Sequence, residues 1–218
     1  MGYVKVSQIK TMSNFEKKVL EIIIYNPDTF NKILKNHNHQ YVKSIIKKWF
    51  GNRIGLEFET ATYNEKNDFI WKKYKLIDID HQSEEKTISF NEKGLIGFNQ
   101  FLYFLKKKVA FNESSGIHIH INCKKKTELI ICEKYKYVLE YLIKLFEYKG
   151  TYNRHEISLS KTAIRIHGQY NTLEYRIIPM SYDWDYLIKS IIILQYISEK
   201  MNNLQEVDLN FCDSIWKL

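Results

Sequence analysis

The stretch SSGIHIHIN, residues 114–122, places His118 and His120 at alternate positions inside an apolar run. Alternation is the period of a β-strand, on which residues i and i+2 face the same side, roughly 7 Å apart. Three other stretches show the same parity: Glu57 and Glu59 in RIGLEFET (53–60), Arg165 and His167 in TAIRIHG (162–168), and Glu174 and Arg176 in NTLEYRII (171–178). If these strands share a sheet, with neighbours about 4.8 Å apart, one face collects carboxylates, imidazoles and guanidiniums. Phe58, Ile119, Ile166 and Tyr175 then face the other way and pack a core. A face that polar is costly to assemble without a cation and an anionic ligand to neutralise it. The pattern reads as a metal and phosphate site.

Taken singly, the pairs are ordinary. Alternating Glu on a strand usually marks a solvated face, and an Arg–Glu hairpin pair is usually a surface salt bridge worth little. The shared parity carries the reading. For phosphoryl transfer, magnesium wants hard oxygen ligands and keeps sites for water and phosphate, while manganese, or magnesium at a mixed site, tolerates one imidazole. Carboxylates with a His can hold two ions that clamp a polyphosphate, and arginines stabilise the transferring phosphoryl group.

The rest of the chain frames these strands. Ser13 with Glu16 is a capping-box pattern, and Phe15, Val19, Leu20, Ile22 and Ile23 give an apolar helical face. Asn26-Pro27 opens a second helix to about His37, and a third spans about 40–50 with Tyr41, Ile45 and Trp49 on one side. Residues 1–50 therefore read as a helical appendage and 51–218 as the main domain. Strands are expected at 53–61, 69–80, 86–90, 116–123, 162–167 and 171–178, the last two joined by a short Gly168-containing hairpin. Helices are expected at 97–109, at 127–148 ending on Gly150, and at 184–202 capped by Ser181 or Asp183, followed by a short tail. Strands bundled between helices favour an α+β domain around a mainly antiparallel sheet.

Composition sets the outer limits. The 218 residues are 44% hydrophobic, enough for one substantial core, and carry a formal net charge of +8. That charge admits an anionic partner such as ATP, an acidic peptide or nucleic acid, although acidic and basic residues are interleaved. Heavy use of Ile, Lys, Asn and Tyr also looks like codon bias from an AT-rich genome. Cys123, Cys132 and Cys212 are odd in number and widely spaced, which fits buried thiols in a reducing compartment. No apolar run reaches bilayer length. The first residues show no secretory apolar region, and Val6 stands where a myristoylation signal wants Ser or Thr. The expectation is a cytoplasmic protein (host cytoplasm, if phage-encoded) with no membrane partner.

The order E-x-E, SSG-x-H-x-H, then a hairpin of R-x-H and L-E-x-R, resembles the glutamine-synthetase-like carboxylate–amine ligases. It is most similar to the phage and bacterial amidoligases, whose segments run G-x-E-x-E, G-x-H-x-H and x-E-F-R. The resemblance spans about residues 52–200. It implies a curved, mainly antiparallel sheet of the glutamine synthetase catalytic type with flanking helices. It also implies ATP, Mg2+ or Mn2+, and small-molecule or peptide carboxylate and amine substrates. By the same resemblance Glu57, Glu59, His118 and Glu174 are metal ligands, and Arg165 and Arg176 hold the phosphates, with Arg176 next to the reacting group. His120 and His167 face nucleotide or substrate, and Ser115 and Gly116 shape the turn that lets the backbone approach it. The departure lies in residues 62–95, where IDIDHQSEEKTISFNEKG (77–94) leaves Asp78 or Asp80, and Glu84 or Glu85, to supply a third metal position and the amine-site acid.

The leading expectation is thus an ATP- and metal-dependent ligase that forms an amide through an acyl phosphate. Two others stand beside it. A metal-dependent nuclease or phosphoesterase would suit Glu, His and Arg on a basic protein, but leaves the Ser-Ser-Gly and hairpin order unexplained. A non-catalytic binding module on a ligase fold would hold neither metal nor nucleotide.

Overall fold

The computed structural model describes residues 12–26, 40–50, 54–58, 84–88, 98–99, 102–103, 106, 116–123, 134–147, 153–158, 162–167 and 171–218. The described elements are α1 (Asn14–Tyr25), α2 (Gln40–Phe50), β1 (Ile54–Phe58), β2 (Glu84–Ile88), β3 (Gly116–Asn122), α3 (Lys136–Leu145), β4 (Asn153–Ser158), β5 (Thr162–His167), β6 (Thr172–Pro179), α4 (Trp184–Asn202) and α5 (Leu209–Trp216). The fold is α+β. Its described sheet has six strands in the order β2-β1-β3-β6-β5-β4. Every neighbouring pair is antiparallel except β4 and β5, which run parallel with a register shift between Asn153 and Ile157.

Parity decides which face is which. Ile117, Ile119 and Ile121 on β3, Leu173 and Tyr175 on β6, and Ile164 and Ile166 on β5 are all buried and belong to one apolar core. That face carries α4, whose Ser198 hydroxyl lies 2.7 Å from the Tyr175 hydroxyl. A helix buried nearly all round must be apolar nearly all round, and α4 supplies Leu187, Ile188 and the run Ile191–Leu194. Each such side chain contributes about 1.5–3 kcal/mol when withdrawn from water.

The other helices pack around α4. Trp184 Nε1 donates to the Ile23 carbonyl of α1 at 2.6 Å, Trp49 of α2 stacks on Phe211 of α5 at 5.6 Å, and the Tyr141 hydroxyl of α3 donates to Asp213 of α5 at 2.7 Å. The buried residues of α1 and α2 belong to the same apolar cluster as those of the sheet. Cys123 and Cys212 are buried, and burial pushes the Cys212 thiol up to about 12, which makes it a packing group rather than a nucleophile. Among the described residues no helix is long and apolar enough to cross a membrane.

Several boundaries differ from expectation. α3 closes at Leu145, with Glu147 in the left-handed region at φ 49°, rather than running to about residue 148; Gly150 lies outside the described residues. Asp183 occupies the N-cap of α4 but makes no side-chain cap bond, while the Ser181 hydroxyl accepts from the Asp183 amide at 3.1 Å. The expected terminal tail contains α5, capped by Asp208 accepting from the Phe211 amide. β4 was not expected as a strand. Residues 98, 99, 102, 103 and 106 are helical, within the expected 97–109 helix. The expected helix at 27–37 and strand at 69–80 fall outside the described residues.

The capping box of α1 forms as its sequence requires: the Ser13 amide donates to Glu16 at 2.8 Å and the Glu16 amide to the Ser13 hydroxyl at 3.1 Å. Lys48 of α2 reaches the same carboxylate at 2.5 Å. Burial alone would raise the Glu16 carboxyl, but the hydrogen bonds from Lys48 and Ser13 outweigh it and hold the group below its ordinary value. A carboxyl depressed on folding stabilises above its unfolded pKa, and that contribution is lost as pH falls through the folded value. Glu16→Gln keeps the box geometry and loses the charge. In urea denaturation it should be less stable than wild type at neutral pH, and the deficit should shrink as pH falls below the ordinary carboxylate range and through the lowered folded-state value. A deficit of unchanged size throughout acid pH would show that charge is not what Glu16 contributes.

Candidate metal centre

The ladder registers bring the expected pairs together. Glu57 lies opposite His118 between β1 and β3, and His120 opposite Glu174 between β3 and β6. Glu174 in turn lies opposite Arg165 on β5. One row across the sheet therefore reads Gly55, His120, Glu174, Arg165, Ser158, and the next begins Glu85, Glu57, His118. These are the residues whose parity opposes the apolar core.

A bulge shapes the far end of the site. β3 advances two residues from Ile117 to Ile119 while β6 advances three, from Ile178 to Tyr175. An extra residue in one strand inverts side-chain parity beyond it and re-aims what lies within it. Ile178 is thereby returned to the core opposite Ile117, and Arg176 stays beside Glu174. Arg176 Nη1 donates to Glu174 Oε1, a contact that closes the end of the polar row.

The side chains converge on two carboxylates. His118 Nδ1 lies 3.0 Å from Glu57 Oε2 and 3.5 Å from Glu174 Oε1, and His120 Nε2 lies 3.5 Å from Glu57 Oε2. Arg165 Nη1 stands 3.5 Å from Glu174 Oε2. Glu174 is 1% exposed, and its Oε2 accepts no hydrogen bond among the described residues. One ligand atom each from Glu57, His120 and Glu174 lie within 4.8 Å of one another, a cluster that could hold a metal ion. A first-row divalent ion would hold such ligands about 2.0–2.2 Å from its centre.

The donor trio contains His120, where the resemblance implies His118, because the register sets His120, not His118, opposite Glu174. His118 is no bystander, since it bridges the two carboxylates. Arg165, Arg176, Glu57, His118, His120 and Glu174 are thus all brought to one face. Gly116 opens β3 opposite Pro179. His167 pairs with Thr172 in the β5–β6 ladder, and Glu85 and Glu84 pair with Glu57 and Phe58 on β2. Glu59, Asp78, Asp80 and Ser115 lie outside the described residues.

Two contributors were overlooked in the sequence. Thr172 presents its hydroxyl 3.4 Å from His120 Nδ1, orienting the ring in the way that supporting groups orient metal-binding imidazoles. Gly55, in the row of His120, puts no side chain on the face, so a ligand can approach the backbone there. Both share the parity of their neighbours Glu57 and Glu174, the signal that would have found them.

Fold and site together define an α+β protein with a candidate metal centre on the polar face of its sheet, flanked by two arginines. Comparison with family models, with curated proteins and with solved structures finds no match to the chain.

Proposed function

We propose that this face is the active site of an ATP-dependent carboxylate–amine ligase of the glutamine-synthetase-like, amidoligase type. The observation that carries the reading is the juxtaposition of the Glu57, His120 and Glu174 cluster with Arg165 and Arg176 on one sheet face. The two carboxylates and two arginines cancel in charge, so a divalent ion leaves two positive charges to be met by an anion. A polyphosphate meets that need.

A divalent ion bound there would supply neutralisation of the phosphate oxygens. Glu57 and Glu174 with His118 or His120 would hold it. Arg165 and Arg176 would turn from Glu174 toward the γ-phosphoryl group, stabilising the charge that spreads over its oxygens. The substrate carboxylate attacks that phosphorus, releasing ADP and forming an acyl phosphate. The amine nitrogen then displaces phosphate at the carbonyl and forms the amide. A carboxylate would take the amine's proton, and Glu85, paired with Glu57 in the β1–β2 ladder, is a candidate for that role. The substrates are a small-molecule or peptide acid and amine.

The test is ADP release and thermal stability with ATP and metal. Ligand at about 100 times its dissociation constant adds roughly 2.7 kcal/mol to stability, a readily measured rise in Tm. Glu57→Gln, at a side chain more exposed than that of Glu174, should abolish the rise. An undiminished rise in this variant would place the nucleotide elsewhere. ADP release that requires both an acid and an amine separates the ligase from a phosphoesterase.

A further inference from the structure

Three separations of 3.5 Å or less link four donor atoms into one set. His120 Nε2 is 3.5 Å from Glu57 Oε2, Glu57 Oε2 is 3.0 Å from His118 Nδ1, and His118 Nδ1 is 3.5 Å from Glu174 Oε1. Glu174 closes the set, within 4.8 Å of the Glu57 and His120 ligand atoms. Neighbouring donors of a four-coordinate ion with ligands at about 2.0–2.2 Å lie about 3.3–3.6 Å apart, and the separations from His118 Nδ1 and His120 Nε2 to these carboxylates, 3.0 to 3.5 Å, are close to that.

The chemistry of the set discriminates among metals more sharply than its size. Magnesium takes oxygen ligands, demands near-ideal octahedral geometry and keeps several of its waters. Half of these donors are imidazole nitrogens, which suit zinc, iron, nickel and copper. The site is also enclosed: His118 is 1%, His120 5% and Glu174 1% exposed. Enclosure leaves little room for a hydrated ion and favours one that gives up its waters for protein ligands. The half-buried Glu57 side is where a further ligand would enter.

We infer that His118, His120, Glu57 and Glu174 form a two-imidazole, two-carboxylate centre selective for a zinc-class ion over magnesium. The inference rests on the reading of this face as a metal centre and names the ion class it takes. Both histidines would be ligands, His118 through Nδ1 and His120 through Nε2.

The experiment loads the chelator-stripped full chain with Co2+, which stands in for zinc and reports its own coordination. Four-coordinate cobalt absorbs visible light intensely and six-coordinate cobalt weakly. The expected result is an intense band at one equivalent, lost on adding one equivalent of Zn2+ and retained in about a thousandfold excess of Mg2+. His118→Gln and His120→Gln should each weaken Co2+ binding beyond the roughly 10–100-fold that loss of a supporting hydrogen bond costs. Far-ultraviolet circular dichroism of each variant verifies that it is folded, and the wild-type spectrum stands without them. A weak band, or displacement by Mg2+, overturns the inference. So does an unchanged band in His118→Gln, which would leave that ring only positioning Glu57. ADP release is followed separately: an intense band without it supports the centre and defeats the ligase, whereas Mg2+-driven release with no intense band defeats the centre and leaves the ligase.

Discussion

Glu174→Gln should cost about 3–5 kcal/mol of folding stability, the range for removing one partner of a buried ion pair. Glu174 is 1% exposed and Arg176 8%. Arg176 donates to one carboxylate oxygen and Arg165 stands 3.5 Å from the other. Substitution by the isosteric amide preserves volume and withdraws the negative charge that offsets both guanidiniums. At about 2–4 °C per kcal/mol for a chain of this size, the melting temperature should drop by roughly 6–20 °C. Glu57→Gln, on the same face but more exposed, should cost distinctly less. The double variant Glu174→Gln/Arg176→Met should recover part of the loss, because it removes the charge that the first change leaves uncompensated. A single variant within about 1 kcal/mol of wild type, well below the buried-pair range, would mean that Glu174 does not balance these charges.

Arg176→Lys should reduce ligase turnover by about 100-fold or more, equivalent to about 2.7 kcal/mol at the transition state, while nucleotide affinity changes little. Lysine keeps the charge and loses the planar, two-pronged donor geometry. Arg176 lies in the stretch of β6 between Tyr175 and Ile178, where the register with β3 shifts. The same substitution distinguishes the reactions. On a nuclease, Arg176 would anchor the nucleic-acid backbone, and its replacement should weaken DNA or RNA binding and flatten its salt dependence. ADP formation and nucleic-acid binding are therefore measured in parallel on wild type and variant. Full ATP turnover in the variant removes Arg176 from the reaction, and DNA cleavage by wild type without ATP defeats the ligase.

Most of the sheet was legible because its strands alternate. Parity in GIHIHIN, TAIRIH and TLEYRI sorts each residue to a face without knowledge of its neighbours, and the buried Ile119, Ile166 and Tyr175 lie on the side that parity assigns. β4 was not legible. NRHEIS has a single buried apolar position, Ile157, because a strand at the sheet's edge needs only one anchor on the core. α5 was hidden for a related reason: its signal is the cap at Asp208 and a short apolar face that matters only once α3 and α4 are beside it.

The sequence by itself determined which residues share the polar face, since the two-residue period of a strand is a local property of the backbone. It also determined the α1 cap, where Ser13 and Glu16 bond within a single turn. Register is not local. Which imidazole meets Glu174, and where the extra residue of β6 falls, depend on how separate strands align their hydrogen bonds while burying Ile117 and Ile178 together. Only the tertiary structure set His120 opposite Glu174, placed His118 between the two carboxylates, and closed the row with Arg176.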